Sequence, residues 1–344
     1  NKRRFKQLLF GVIFVAGILL TSVELGLFQP ARGEVVNLPA RVSQASSSQR
    51  ELGQQLLQQV IACMRGKIPN PQQANMEVLQ TASSQCVFEV VVLNPDGSVR
   101  TDASDRLTAL VEFSGVSFPQ PASKGQANVQ LKKVPDSQVF AIPVKIGQES
   151  KPFLLDTGAS ASIIDSQIAK QLGLASRPVP TELFKYTVVG NNCSNVEVTL
   201  HPLPILGVDS ATVEGLNGMG LPPASIPGKM AGVLGIDFLS SFDIVLNPKT
   251  LQLKLLPPSQ TTETAIPLVG KLGNITAQVQ VNRQGPFTFV LDTGADLNVI
   301  STDLAQKLSL NLSQAKEIEV MGFCGTEKGK KIKLDRISLQ QHQA

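Results

Sequence analysis

The tetrapeptide Asp-Thr-Gly-Ala stands twice in this chain, at Asp156–Ala159 and again at Asp292–Ala295. The two copies align without a gap from Phe153 to Leu174 and from Phe289 to Leu310, at a constant offset of 136 residues (292 − 156). Ten of those 22 aligned positions are identical. Each copy is a short apolar run, Phe153-Leu154-Leu155 or Phe289-Val290-Leu291, broken by Asp-Thr-Gly. Such a run ending in an acid and a glycine reads as a buried strand entering a tight turn. A single Asp-Thr-Gly is also an ordinary surface β-turn sequence, with Asp first and Gly late. Two copies in extended register argue for something else: a duplicated acid on a duplicated scaffold, with Asp156 facing Asp292.

The residue types fit that arrangement. Gly158 and Gly294 let the backbone approach another segment closely. Thr157 and Thr293 can donate a hydroxyl hydrogen bond across a two-fold axis, and Ala159 and Ala295 complete the loops. If the two aspartates meet, both cannot ionise cheaply, so the pair shares one proton. The ionised member can then take a proton from water while the protonated member supports the carbonyl oxygen of an amide. That is acid–base hydrolysis without a covalent intermediate.

The motifs Leu-Asp-Thr-Gly-Ala-Ser-x-Ser and Leu-Asp-Thr-Gly-Ala-Asp resemble the active-site loops of retropepsin-like aspartic proteases. Gly232-Val233-Leu234-Gly235-Ile236-Asp237-Phe238-Leu239 is similar to that family's second signature. The resemblance implies that Val233, Leu234 and Gly235 thread beneath the first loop and support it. It covers about 139–256 for one lobe and about 275–340 for part of a second. It implies a mainly β fold of two acid-protease-type lobes related by a pseudo-two-fold, and an aspartic endopeptidase with Asp156 and Asp292 as its dyad. The substrate would be an extended polypeptide paired through its main chain; no cofactor or metal is implied. Phe184–Val189, Gly190-Asn191-Asn192 and then Val196, Val198 and Leu200 carry hairpin chemistry where the family has its flap. Gly322 marks the corresponding turn of the second copy. An ordinary surface hairpin is the alternative.

Around these lobes the chain reads as follows. Residues 1–33 are a signal peptide or membrane anchor: Lys2 to Lys6 are basic, and an apolar run follows from Leu8 to Leu20. This hydrophobic N-terminal helix would place the rest of the chain outside the cytoplasm, exported and membrane-anchored or secreted. Residues 34–49 read as a linker and 50–116 as a small α+β region of unassigned role. There Leu52, Leu56, Leu57, Val60 and Ile61 recur at helical spacing, Val87–Leu93 reads as a strand, and 102–113 as a helix. Residues 117–138 read as a second linker, 139–258 as lobe one and 265–344 as lobe two. In lobe one, strands are expected at Val139–Ile146, Phe153–Leu155 and Ser162–Ile164. Asp165 or Ser166 should cap a short helix that packs Ile168 and Leu172 inward.

Composition narrows the partners. Hydrophobic residues make up 42% and charged residues 17%, as in ordinary globular chains. A net charge of +4 with no basic, aromatic-studded stripe argues against nucleic acid. His201 and His342 stand alone without Cys-x-x-Cys, so no zinc site is expected. Cys63 and Cys86 are candidates for one bridge; Cys193 and Cys324 either bridge the two flaps or remain free or separately paired.

The second copy is incomplete. Gly235 lies 79 residues after its aspartate (235 − 156), whereas only 52 residues follow Asp292 (344 − 292). No second apolar-apolar-Gly segment fits at that spacing, so the sequence is either a fragment or has a degenerate second lobe. Three rivals to the intramolecular dyad stay open. Lobe one pairs with itself in a homodimer, the lobes are an idle binding module of the envelope, or the N-terminal region does the work.

Overall fold

Three helices come first: α1 (Ser47–Lys67), α2 (Met76–Val87) and α3 (Ala103–Ser114). The computed structural model describes residues 47–344 apart from 69–73, 75, 99, 101, 115–120, 180–194, 260–268, 272–273, 341 and 344. The chain forms two units, Asn1–Pro119 with Pro178–Thr187 and Gln120–Arg177 with Val188–Ala344. In the first, Leu56 and Val60 of α1 are buried together with Leu107 and Leu110 of α3, as the helical spacing predicts. A Cys63–Cys86 disulfide ties α1 to α2.

The strand expected at Val87–Leu93 is instead helical. Helix α2 runs to Val87 and continues as a π-helical turn over Phe88–Val92. Val87, Phe88, Val91 and Val92 are buried, a spacing that repeats at four residues and therefore lies on one helix face. A short apolar run carries too little periodicity to separate the two states. The α+β reading of 50–116 is thus corrected to helical among its described residues. After it, Asn94-Pro95-Asp96-Gly97 form a turn, with Gly97 N–H donating to Asn94 O (2.9 Å). The linker reading also ends too late at 49, because α1 already begins at Ser47. The hydrophobic helix expected within 1–33 lies outside the described residues; among those described, no helix is long and apolar enough to cross a membrane.

The second unit is β-rich. Strands β1 (Ala122–Lys124), β2 (Ala127–Gln130) and β3 (Lys132–Lys133) fall inside 117–138, which is therefore more than a linker. Then come β4 (Phe140–Ile146), β5 (Glu149–Leu155) and β6 (Ile163–Asp165), helix α4 (Ser166–Gln171) and the short β7 (Arg177–Pro178). After them follow β8 (Thr199–Pro202), β9 (Leu206–Val208), β10 (Ala211–Glu214), β11 (Asn217–Leu221) and β12 (Gly232–Leu234). Helix α5 (Ile236–Leu239) and the hairpin β13 (Asp243–Asn247)–β14 (Gln252–Leu256) close lobe one. In its main sheet the order is β1-β10-β9-β4-β5-β12-β6-β11-β8, while β2 pairs with β14. Strand β12 lies parallel to β5 and antiparallel to β6. One core, including Ile142, Phe153, Leu155, Leu234, Phe238 and Leu253, fills this lobe. Asp165 caps α4 by accepting from Gln167 N–H (2.7 Å). Ile168 packs on the core, but Leu172 is exposed, so the inward stripe of α4 is narrower than expected; Ala169 takes the buried place.

Lobe two comprises β15 (Val269–Lys271), β16 (Asn274–Val281), β17 (Gln284–Val290), α6 (Thr302–Lys307), β18 (Lys316–Gly322), β19 (Gly325–Lys331), β20 (Ile337–Leu339) and β21 (His342–Gln343). Its fully buried core is small, Val279, Val281 and Leu308 with partly buried neighbours such as Phe287 and Phe289. Among the described residues nothing takes the place of β12. Residues aligned with β6 and the stretch just before it therefore find no ladder: Leu297 and Val299 are 43% and 39% exposed, whereas Ala161 and Ile163 are 1% and 2% exposed.

Candidate active site

Strands β5 and β17 deliver the two Asp-Thr-Gly loops to each other. Thr157 N–H donates to Thr293 Oγ1 (3.0 Å), and Thr293 N–H donates to Thr157 Oγ1 (3.1 Å). The hydroxyls then donate onward across the interface, Thr157 Oγ1 to Leu291 O and Thr293 Oγ1 to Leu155 O, both at 2.9 Å. Every bond has its mirror image, which is what a pseudo-two-fold requires. Each threonine accepts and donates at once, so the four bonds polarise one another.

The carboxylates sit over the opposite glycines. A Cβ added to Gly158 would fall 2.5 Å from Asp292 Oδ1, and one added to Gly294 would fall 2.5 Å from Asp156 Oδ2. Only glycine leaves room at these positions, and the same closeness seats Asp156 and Asp292 against each other's loop. Asp156 Oδ1 accepts from Gly158 N–H (2.8 Å) and Ala159 N–H (3.0 Å). Asp292 Oδ1 accepts from Gly294 N–H (2.9 Å). The pair is not equivalent in burial: Asp156 is 6% exposed, while Asp292 is exposed.

That asymmetry has a structural cause. In lobe one, β12 runs under the loop: Asp156 N–H donates to Leu234 O (3.1 Å) and Ile236 N–H donates to Ala159 O (2.8 Å). Val233 and Leu234 are wholly buried, and Gly235 N–H donates to Ser162 Oγ (3.1 Å). Ser162 in turn donates from its backbone N–H to Asp237 Oδ2 (2.9 Å) and from its hydroxyl to Asp237 Oδ1 (2.7 Å). Sequence reasoning assigned no role to Ser162 or Asp237. The available signal was a polar residue in each of two otherwise apolar runs, which must satisfy one another when buried.

Asp237 is only partly exposed and its carboxylate is turned inward onto Ser162. Desolvation outweighs the hydrogen bonds it accepts and pushes its pKa up from 3.8 to about 6. A carboxyl whose folded pKa is raised holds its proton more tightly in the folded state. Its stabilisation is complete below about pH 4 and is lost as pH rises through about 6. Allowing for partial exposure, the group should withdraw roughly 2 kcal/mol of stability between those limits. Asp237→Asn, which cannot ionise, should flatten that part of the profile. Urea unfolding at pH 4, 5 and 7 on both proteins checks it, and identical pH slopes would refute the assignment.

The flap residues fare unevenly. Gly190, Asn191 and Asn192 lie outside the described residues, as does Cys193. In lobe two, Gly322 ends β18 and pairs with Gly325 across a two-residue turn, forming a long hairpin with β19. Cys324 in that turn is buried and disulfide-bonded. Groups of three or more His, Cys, Asp or Glu arranged to hold a metal are absent among the described residues. His201, buried, is held at both ring nitrogens, by Thr199 Oγ1 (2.7 Å) and Ala175 O (3.0 Å), and serves the packing.

Comparison with known proteins follows the same two segments. Residues 142–241 and 277–344 match the family described as "gag-polyprotein putative aspartyl protease". No curated protein matches the chain. Among solved structures, a retropepsin-like aspartic protease from Rickettsia conorii aligns at 18% identity, over 39% of this chain and 93% of that one. Its TM-score is 0.27.

Proposed function

From two retropepsin-like lobes carried in one chain, we propose that this protein is an aspartic endopeptidase whose dyad, Asp156 and Asp292, forms within the chain. One observation carries the reading: the reciprocal Thr157–Thr293 bonds hold each carboxylate over the other loop's glycine. Two carboxylates so placed share a proton more readily than they both ionise. The ionised member removes a proton from water as the oxygen adds to the peptide carbonyl, and the protonated member gives its proton to the carbonyl oxygen. Collapse of the tetrahedral adduct returns the proton to the leaving amine. The substrate is a polypeptide in extended form, since main-chain pairing suits a site framed by strands and hairpins.

The basic and then apolar stretch at 2–20 and the Cys63–Cys86 disulfide support a place outside the cytoplasm, where disulfides persist. A second reading, an idle binding module of the same fold, draws on the exposed Asp292 and its unsupported loop. Incubation with unfolded polypeptides, read by mass spectrometry of the products, separates the two. An endopeptidase should yield internal cleavages. It should also bind a peptide with a tetrahedral hydroxyl isostere at least about 100-fold more tightly than the parent peptide. Absence of both effects would refute the endopeptidase reading.

A further inference from the structure

The threonine bonds cannot tell one partner from another. All four use groups present in both copies of the motif, so a second copy of lobe one would satisfy them equally. The residue after Asp-Thr-Gly-Ala differs, however: Ser160 in lobe one, Asp296 in lobe two (296 − 136). Asp296 Oδ1 accepts from Ser137 Oγ (2.6 Å) and from Gln138 N–H (2.5 Å), on the turn that feeds β4 of lobe one.

That turn is built to present donors. Val134 N–H donates to Val139 O (3.1 Å), Ser137 N–H donates to Val134 O (3.2 Å), and Asp136 adopts a left-handed φ of 56°. Val139 N–H donates to Ser137 Oγ (3.1 Å), which leaves the hydroxyl proton free to point outward. Lys133 Nζ donates to Gln138 Oε1 (2.9 Å), so the turn carries one cation, offset by the negative charge of Asp136. A hydroxyl and a backbone N–H converging on one oxygen favour an anionic acceptor. Ser160 of another lobe one is shorter by a functional group and carries no charge.

We infer that the Asp296 carboxylate on the Ser137–Gln138 turn selects lobe two of the same chain, in preference to lobe one of a second chain, as the partner of lobe one. This rests on the intramolecular pairing proposed above but not on catalysis. A chain without peptidase activity would still have to obey it.

The test is the oligomeric state of the full chain and the amide exchange of Thr157 and Thr293, whose N–H groups span the interface. Sedimentation over a wide concentration range should show the unaltered chain as a monomer. Asp296→Ser, which copies the lobe-one residue, should speed exchange at both threonines about tenfold and introduce chain dimers. Ser160→Asp added to Asp296→Ser should strengthen those dimers, because each copy then offers its carboxylate to the other's turn. Asp296→Asn, which keeps the shape and loses the charge, should fall between, and it serves if the serine variant does not fold. An unaltered chain that dimerises, or an Asp296 variant that remains monomeric with unchanged exchange at both threonines, would overturn the inference.

Discussion

Asp156→Asn should abolish peptide hydrolysis, lowering kcat at least about a thousandfold, with little change in KM or in the unfolding midpoint. The asparagine oxygen still accepts from Gly158 and Ala159, so the loop keeps the bonds that shape it. What disappears is a group that can pass between ionised and protonated forms. A neutral amide beside Asp292 also removes the reason for the pair to share a proton. Asp292→Asn should do the same from the exposed side, and the double variant should be no worse than either single one, because the two acids act as a unit. Cleavage of an unfolded polypeptide by either variant at more than about a tenth of the unaltered rate would exclude the dyad. Unchanged partner binding in those variants would instead favour the idle module.

Thr157→Val should uncouple the lobes while leaving lobe one folded. The substitution is close to isosteric, yet it takes the donor from Leu291 O and the acceptor from Thr293 N–H. Two part-buried polar groups left without these partners cost about 1–3 kcal/mol together. Lobe one has its own large core and should survive. Lobe two, with few fully buried side chains, depends more on the docking. Urea unfolding should therefore split into two transitions, the earlier one belonging to lobe two, and activity should fall about a hundredfold or more as the carboxylates lose their alignment. Thr157→Ser keeps the hydroxyl and should behave nearly as the unaltered chain. A valine variant with one transition at the unaltered midpoint would show that the threonine bonds do not hold the lobes together.

Much of this arrangement was legible in the chain before any coordinates. The turn chemistry of Asp-Thr-Gly, the apolar strands leading into it and the register between copies predicted the facing loops and the cross-axis threonines. Val233-Leu234-Gly235 was expected beneath the first loop, and β12 lies there between β5 and β6. These features are local or repeated, so a few neighbouring residues decide them. Val87–Leu93 shows the limit: its apolar run fits either a strand or a helix face, and only its packing within the helical unit resolves the choice.

Sequence by itself determined that two like acids, each on an apolar strand and a tight turn, exist in two related lobes. Tertiary structure decided how unequal those lobes are. Asp156 is enclosed because β12 supplies hydrogen bonds and cover to its loop, while Leu297 and Val299 beside Asp292 lie open. It also decided that Asp237 meets Ser162 and that Asp296 meets Ser137 and Gln138, pairs separated by 75, 159 and 158 residues. Hydrogen bonding and desolvation depend on which groups share a few ångströms of space. Chain order constrains that proximity only where a pattern is short or repeats itself.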